Sequence, residues 1–240
     1  MIYSKYFIRG QKVFIKRAPQ NTSIKTTDTL TGYVTRSHNM QLELTLPYGT
    51  DAAESYPFRP GMIFELMTEH SGMGLRLTAR FFEKTSQKDI HFHLDSNLEF
   101  ISRRIYRRLD VNGWVGYKRN QGTLLQMQRA WRENQEKIES GINPEQLTAF
   151  EKYPLNLAGG GIRMPLRAPV HRAELILLFL SIGDKQGIIC ALSEVVWVGD
   201  PQDDGTVYAG LRFLMIREKD QARIDTVVKT LIKRLDGLAD

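Results

Sequence analysis

Four of the six residues from Arg103 to Arg108 are arginine, in the run Arg103-Arg104-Ile105-Tyr106-Arg107-Arg108. A guanidinium fork binds phosphate oxygens bidentately, stacks flat on purine rings and donates to the O6 and N7 acceptors of guanine. The pair Arg104 and Arg108, four residues apart, therefore suits a ligand that offers both phosphates and guanines. Taken alone, such a run is more often a solvated face or a general phosphate-binding patch. The second feature is Leu155-Asn156-Leu157-Ala158-Gly159-Gly160-Gly161-Ile162. Asn156 has a donor and an acceptor with which to read a base edge, and the glycines permit positive backbone dihedrals and close approach of a ligand. By itself this stretch reads as a tight turn or bulge entering a strand.

The elements that must carry these residues are mainly strands. In the first hundred residues the segments Lys12–Arg17, Thr29–Thr35, Gln41–Pro47, Met62–Thr68, Leu75–Phe82 and Ile90–Leu94 are bounded by Gly, Pro, Asn, Asp or Ser. Several alternate apolar with polar residues, as in Gln41-Leu42-Glu43-Leu44-Thr45-Leu46, and six such strands suggest a small barrel. A junction around Asp95–Ser102 leads into the arginine run. From Thr123 to Ser140 the pattern turns helical, with Leu124, Met127, Trp131 and Ile138 on one face, until Gly141 and Pro144 stop it. That stripe suits packing on its own domain or a partner-binding face. Further strands follow at Leu175–Leu180, Gln186–Val198 and Tyr208–Ile216. A closing helix carries the stripe Ile224, Val227, Val228, Leu231 and Leu235, with Asp220 placed to cap it.

The two motifs together resemble the cyclic di-GMP signature of PilZ domains, an Arg-x-x-x-Arg pair followed by Asp or Asn in the frame Asx-x-Ser-x-x-Gly. Arg104 and Arg108 match the first part, Asn156 and Gly161 the second. Arg103–Leu109 looks like the family's opening segment and Tyr208-Ala209-Gly210-Leu211-Arg212-Phe213 like its final strand. Residues 1–95 resemble the amino-terminal barrel of YcgR-type flagellar brake proteins. The resemblance implies two small β-barrels in tandem. They would be an amino-terminal domain over 1–95 and a PilZ domain over 96–240. The second would hold a linker with the arginine motif at 96–110, an inserted helix near 121–141 and a carboxy-terminal helix at 220–236. It further implies that Arg104 and Arg108 grip phosphate and guanine, that Asn156 bonds a guanine edge, and that Gly161 gives the motif its turn. An arginine at the place of Arg103 is associated in the family with two stacked ligand molecules. The family's serine is Ala158 here, which removes a hydroxyl worth about 0.5 to 3 kcal/mol toward a ligand group. Arg108 and Asn156 are also 48 positions apart, and the Thr123–Ser140 helix occupies the surplus.

No nucleophile–base pair, acid pair or metal-ligand spacing suggests an enzyme, and no cofactor or metal is expected. His91 and His93 could share a strand face, without a Cys or acidic partner at diagnostic spacing. Net charge is +6, from 33 Lys and Arg against 27 Asp and Glu, with the excess local rather than spread in a stripe, so DNA or RNA is not expected as a partner despite Trp114 and Tyr117 nearby. Cys190, the single cysteine, reads as a buried structural thiol. With no run of about eighteen apolar residues and no leader-like start, a cytoplasmic protein without membrane insertion is expected. The implied function is ligand-driven repositioning of two domains that acts on a protein partner. The resemblance points to flagellar motor components and recruitment to the basal body. The alternative is a protein-interaction module of the same fold that has lost its ligand, to which Ala158 points.

Overall fold

The structure, a computed structural model, describes residues 3–17, 26–48, 57–102, 106–119, 122–184 and 186–237. The chain is mainly β and divides into two compact units, the first built on residues preceding 103 and the second on residues from 106 onward.

In the first unit, β1 (Lys12–Arg17), β2 (Thr26–His38), β3 (Gln41–Thr45), β4 (Ile63–His70), β5 (Met73–Lys84) and β6 (Asp89–Leu94) are all antiparallel. They run in the order β1-β4-β5-β6-β3-β2, and β2 pairs back to β1, closing a six-stranded barrel. Closure follows from patterning. Leu42 and Leu44 of β3 and Ile90, Phe92 and Leu94 of β6 alternate inward, while their neighbours stay in contact with solvent. Phe64 and Phe92 meet edge to face at 5.5 Å in the interior, and each such buried side chain contributes about 1.5–3 kcal/mol. A short β7 (Glu99–Ile101) pairs with β5, so part of the stretch expected as linker belongs by its hydrogen bonds to this barrel. His91 and His93 do share the outer face of β6, where His91 Nδ1 lies 3.3 Å from Glu83 and His93 meets the Phe82 ring edge to face.

The second unit repeats the closure with β8 (Leu109–Arg119), β9 (Glu151–Ala158), β10 (Gly161–Arg167), β11 (Leu175–Ser181), β12 (Ile189–Pro201) and β13 (Thr206–Arg217). Their order is β13-β10-β9-β8-β11-β12, with β12 pairing back to β13. β11 and the first half of β12 are buried on both faces, which is why they read as continuous apolar runs and not as alternation. One cover is α1 (Leu124–Glu139), where Trp131 Nε1 and Gln135 Nε2 both donate to the carbonyl of Cys190, at 3.0 and 2.9 Å. Met127 and Trp131 are buried, and the bond to Cys190 holds Trp131 on its own unit. α2 (Glu218–Asp236) inserts Ile224 and Val228 into the barrel core.

Two expectations need correction. Asp220 does not cap α2: the helix starts at Glu218 behind Arg217, and Asp220 sits inside its first turn, fully buried between Arg217 and Arg223 at 2.8 Å each. The pairs extend outward to Glu139 of α1 and to Asp184, forming one chain Glu139–Arg217–Asp220–Arg223–Asp184. Leu235 continues the apolar spacing but is exposed.

Candidate functional site

The site residues lie on the outer face of β8, β9 and β10. Cross-strand register sets Asp110 opposite Asn156 and Asn156 opposite Arg163, one row running across three strands. Asn156 Nδ2 donates to Asp110 Oδ1 at 2.9 Å, and an Arg163 guanidinium nitrogen lies 3.7 Å from the same oxygen. The Arg163 guanidinium also sits over the Tyr208 ring, 5.7 Å from its centroid, a cation–π contact.

Two prolines open the wall here. The β9–β10 ladder holds Gly161↔Ala158, Ile162↔Leu157 and Arg163↔Asn156 and then stops. Continuing that register would set Pro165 opposite Pro154, and neither has an N–H to donate. β9 nonetheless stays paired to β8 as far as Glu151, and β10 to β13 as far as Arg167. A cavity of about 340 Å³ occupies this place, bordered by Asp110, Asn112, Pro154, Asn156, Arg163 and Tyr208, at the lower end of the ~300–1,000 Å³ typical of small-molecule sites.

Arg103 and Arg104 lie outside the described residues. Arg107 and Arg108 are exposed and lead directly into β8, whose first pair is Leu109↔Leu157. Arg108 thus stands one residue from a strand hydrogen-bonded to the one that carries Asn156, although 48 positions separate them in sequence. Tyr106, inside the arginine run, packs its ring on the Gly159–Gly160 turn: a Cβ on Gly159 would meet the ring at 2.7 Å and one on Gly160 at 3.1 Å. Burial pushes the Tyr106 phenol above its usual range, with the negative charge of Asp225 adding to it. The two sequence motifs are therefore packed against each other.

The glycines are needed for space, not for dihedral freedom. None of Gly159, Gly160 and Gly161 has a positive φ. The turn is made by Gly159 and Gly160, while Gly161 opens β10, where a Cβ would overlap the carbonyl oxygen of Leu211 on β13. Ala158 is buried, 6% exposed, and does not border the cavity. No residue of α1 borders it either.

Asp110, Asn112 and Arg163 were not singled out in the sequence. Asp110 and Asn112 lie on β8, a strand obscured by Gly113 and Gly116. Both glycines are set by crowding: a Cβ at Gly113 would lie 2.7 Å from Leu155, and one at Gly116 would lie 2.8 Å from the Ala149 carbonyl. The available signal was the alternation Leu109, Val111 against Asp110, Asn112 just after Arg108. Among the described residues, no group of three His, Cys, Asp or Glu side chains is placed to hold a metal ion, and no helix is long and apolar enough to cross a membrane.

No family model and no curated relative matches the chain. Solved structures do. The Bacillus subtilis inhibitor of motility MotI/DgrA is similar over 96% of this chain and 99% of its own, at 14% identity and TM-score 0.38. YcgR from Escherichia coli, solved in complex with cyclic di-GMP, is similar over 96% of this chain and 88% of its own, at 12% identity and TM-score 0.38. MrkH of K. pneumonia in its apo state is similar over 93% and 89%, at 13% identity and TM-score 0.40. YcgR, to whose type the sequence of residues 1–95 bears resemblance, is thus among the solved structures similar to the chain.

Proposed function

We propose that this chain is a receptor for cyclic di-GMP and not an enzyme. The observation that carries the reading is the packing of its two motifs. Arg108 precedes the strand that pairs with Asn156, Tyr106 seats the arginine run on the Gly159–Gly160 turn, and a cavity opens beside Asn156. In this reading Arg104 and Arg108 bind phosphate and guanine, Asn156 bonds a guanine edge, and Arg103 serves a second, stacked ligand. Arg163 adds a cation on the same face, which suits an anionic ligand.

The receptor acts in the cytoplasm by ligand-driven change in the arrangement of its two units, which regulates a protein partner, with flagellar motor components the class the motif resemblance favours. Such a switch requires the ligand to bind one arrangement more tightly than the other, since equal affinity shifts no population. Titration calorimetry with cyclic di-GMP, alongside an Arg104→Ala plus Arg108→Ala variant, tests the binding. Small-angle scattering of the full chain with and without ligand tests the rearrangement, and superimposable curves at saturation would remove it. Ala158 in place of the family serine favours one second reading, a protein-interaction module of the same fold that no longer binds ligand. Absence of binding heat by the wild-type chain selects that reading.

A further inference from the structure

The cavity brings in an acid that neither motif contains. Asp110 lies in the cross-strand row with Asn156 and Arg163, and its Oδ1 is held from two sides, by Asn156 Nδ2 at 2.9 Å and by Arg163 at 3.7 Å. The side chain is nevertheless 79% exposed at the cavity edge, and Oδ2 has no hydrogen-bond partner among the described residues. It is a carboxylate oriented through one oxygen and open to a ligand.

We propose that Asp110 reads the donor edge of a bound guanine, accepting from its N1–H and 2-amino group, and so makes this site select guanine over bases lacking that pair of donors. This rests on the cyclic di-GMP reading above. The chemistry follows from what each group offers. An ionised carboxylate is acceptor-only, with two oxygens side by side, whereas the amide of Asn156 has one acceptor and one donor, and its Nδ2 is already engaged with Asp110. Guanine presents two adjacent N–H donors on its Watson–Crick edge, hypoxanthine presents N1–H alone, and adenine presents an N1 acceptor that a carboxylate repels. At this position of the Asx-x-Ser-x-x-Gly frame the chain has the neutral amide, and the cross-strand neighbour restores the acid. Asp110 would otherwise repel an anionic ligand. Arg163, seated over Tyr208 beside the same oxygen, offsets that charge.

The test is calorimetric titration of the full-length wild type, Asp110→Asn and Asp110→Ala with cyclic di-GMP, cyclic di-IMP and cyclic di-AMP. The wild type is expected to prefer cyclic di-GMP to cyclic di-IMP by about ten- to a hundredfold, the worth of one hydrogen bond to a charged acceptor. In Asp110→Ala that ratio is expected to fall toward one, because the 2-amino group has lost its acceptor; in Asp110→Asn, which keeps one neutral acceptor and gains a donor, it is expected to fall partway, and in both variants cyclic di-AMP is expected to gain on cyclic di-GMP. The ratio is taken within each protein, so it does not depend on the folded fraction. A ratio in Asp110→Ala equal to the wild type's, or a wild type indifferent to the 2-amino group, would overturn the assignment while leaving the receptor reading intact. A wild type that binds none of the three would overturn the receptor reading and the role of Asp110 with it.

Discussion

Replacing Gly161 with alanine should destabilise the second barrel through one identifiable clash. The added Cβ would overlap the carbonyl oxygen of Leu211 and lie 3.2 Å from Cα of Arg212, both backbone atoms of the facing strand. No side-chain rotation relieves this. β10 and β13 would have to separate where Gly161↔Arg212 begins a ladder that runs on to Arg167↔Thr206. Overpacking of this kind costs about 1–3 kcal/mol, which at roughly 4 °C per kcal/mol for a domain of this size lowers the melting temperature by about 4–12 °C. Neighbouring glycines supply the comparison. At Gly159 the obstacle is the Tyr106 ring at 2.7 Å and at Gly160 the same ring at 3.1 Å, both side-chain atoms that can move. Circular-dichroism melts should therefore rank the losses Gly161→Ala largest, Gly159→Ala intermediate and Gly160→Ala smallest. A Gly161→Ala protein that melts within a degree of the wild type would show that the β10–β13 approach is looser than described and would refute the steric reason for this glycine.

Three further outcomes follow from the same barrel. Asp220→Ala leaves Arg217 and Arg223 without their shared buried carboxylate and should cost about 3–5 kcal/mol in urea denaturation; a loss under 1 kcal/mol would mean the network relaxes to water. The Arg223 guanidinium holds the Asp184 carboxyl below its ordinary range, with a backbone N–H from Gln186 helping and burial opposing. A depressed folded-state pKa stabilises fully above the unfolded value of about 4 and is lost as pH falls through the folded value. The melting-temperature gap between wild type and Asp184→Asn should thus be constant from about pH 5 to 8 and close below about pH 4, and a gap that widens on acidification would contradict it. Burial pushes the Cys190 thiol well above its usual range, so a thiol reagent at pH 8 should label the native protein far more slowly than the unfolded one.

Much of this architecture was legible because period-2 burial is a local signal. Lys12–Arg17 and Gln41–Thr45 announce themselves by alternation, and the doubly buried β11 by its unbroken apolar run. What stayed hidden depends on partners distant in the chain. Gly113 and Gly116 interrupt the apolar alternation of β8, yet they are strand residues crowded by Leu155 and by the Thr148–Ala149 segment. Asp220 looked like a cap because its value lies in two arginines that only the folded helix brings together. Within the site, the glycine run read as a turn entering a strand, as Gly159–Gly160 and β10 are, but β9 ahead of it carries no such local mark. The acid beside Asn156 could not be found without the β8–β9 register, which joins positions 46 apart.

Calorimetric titration of the purified full chain with cyclic di-GMP, using GTP as the specificity control and the Arg104→Ala plus Arg108→Ala variant beside it, reaches furthest. Saturable binding of cyclic di-GMP, absent with GTP and lost in the variant, is the predicted result; no heat at high ligand concentration, or a variant that binds as the wild type does, would contradict the receptor reading.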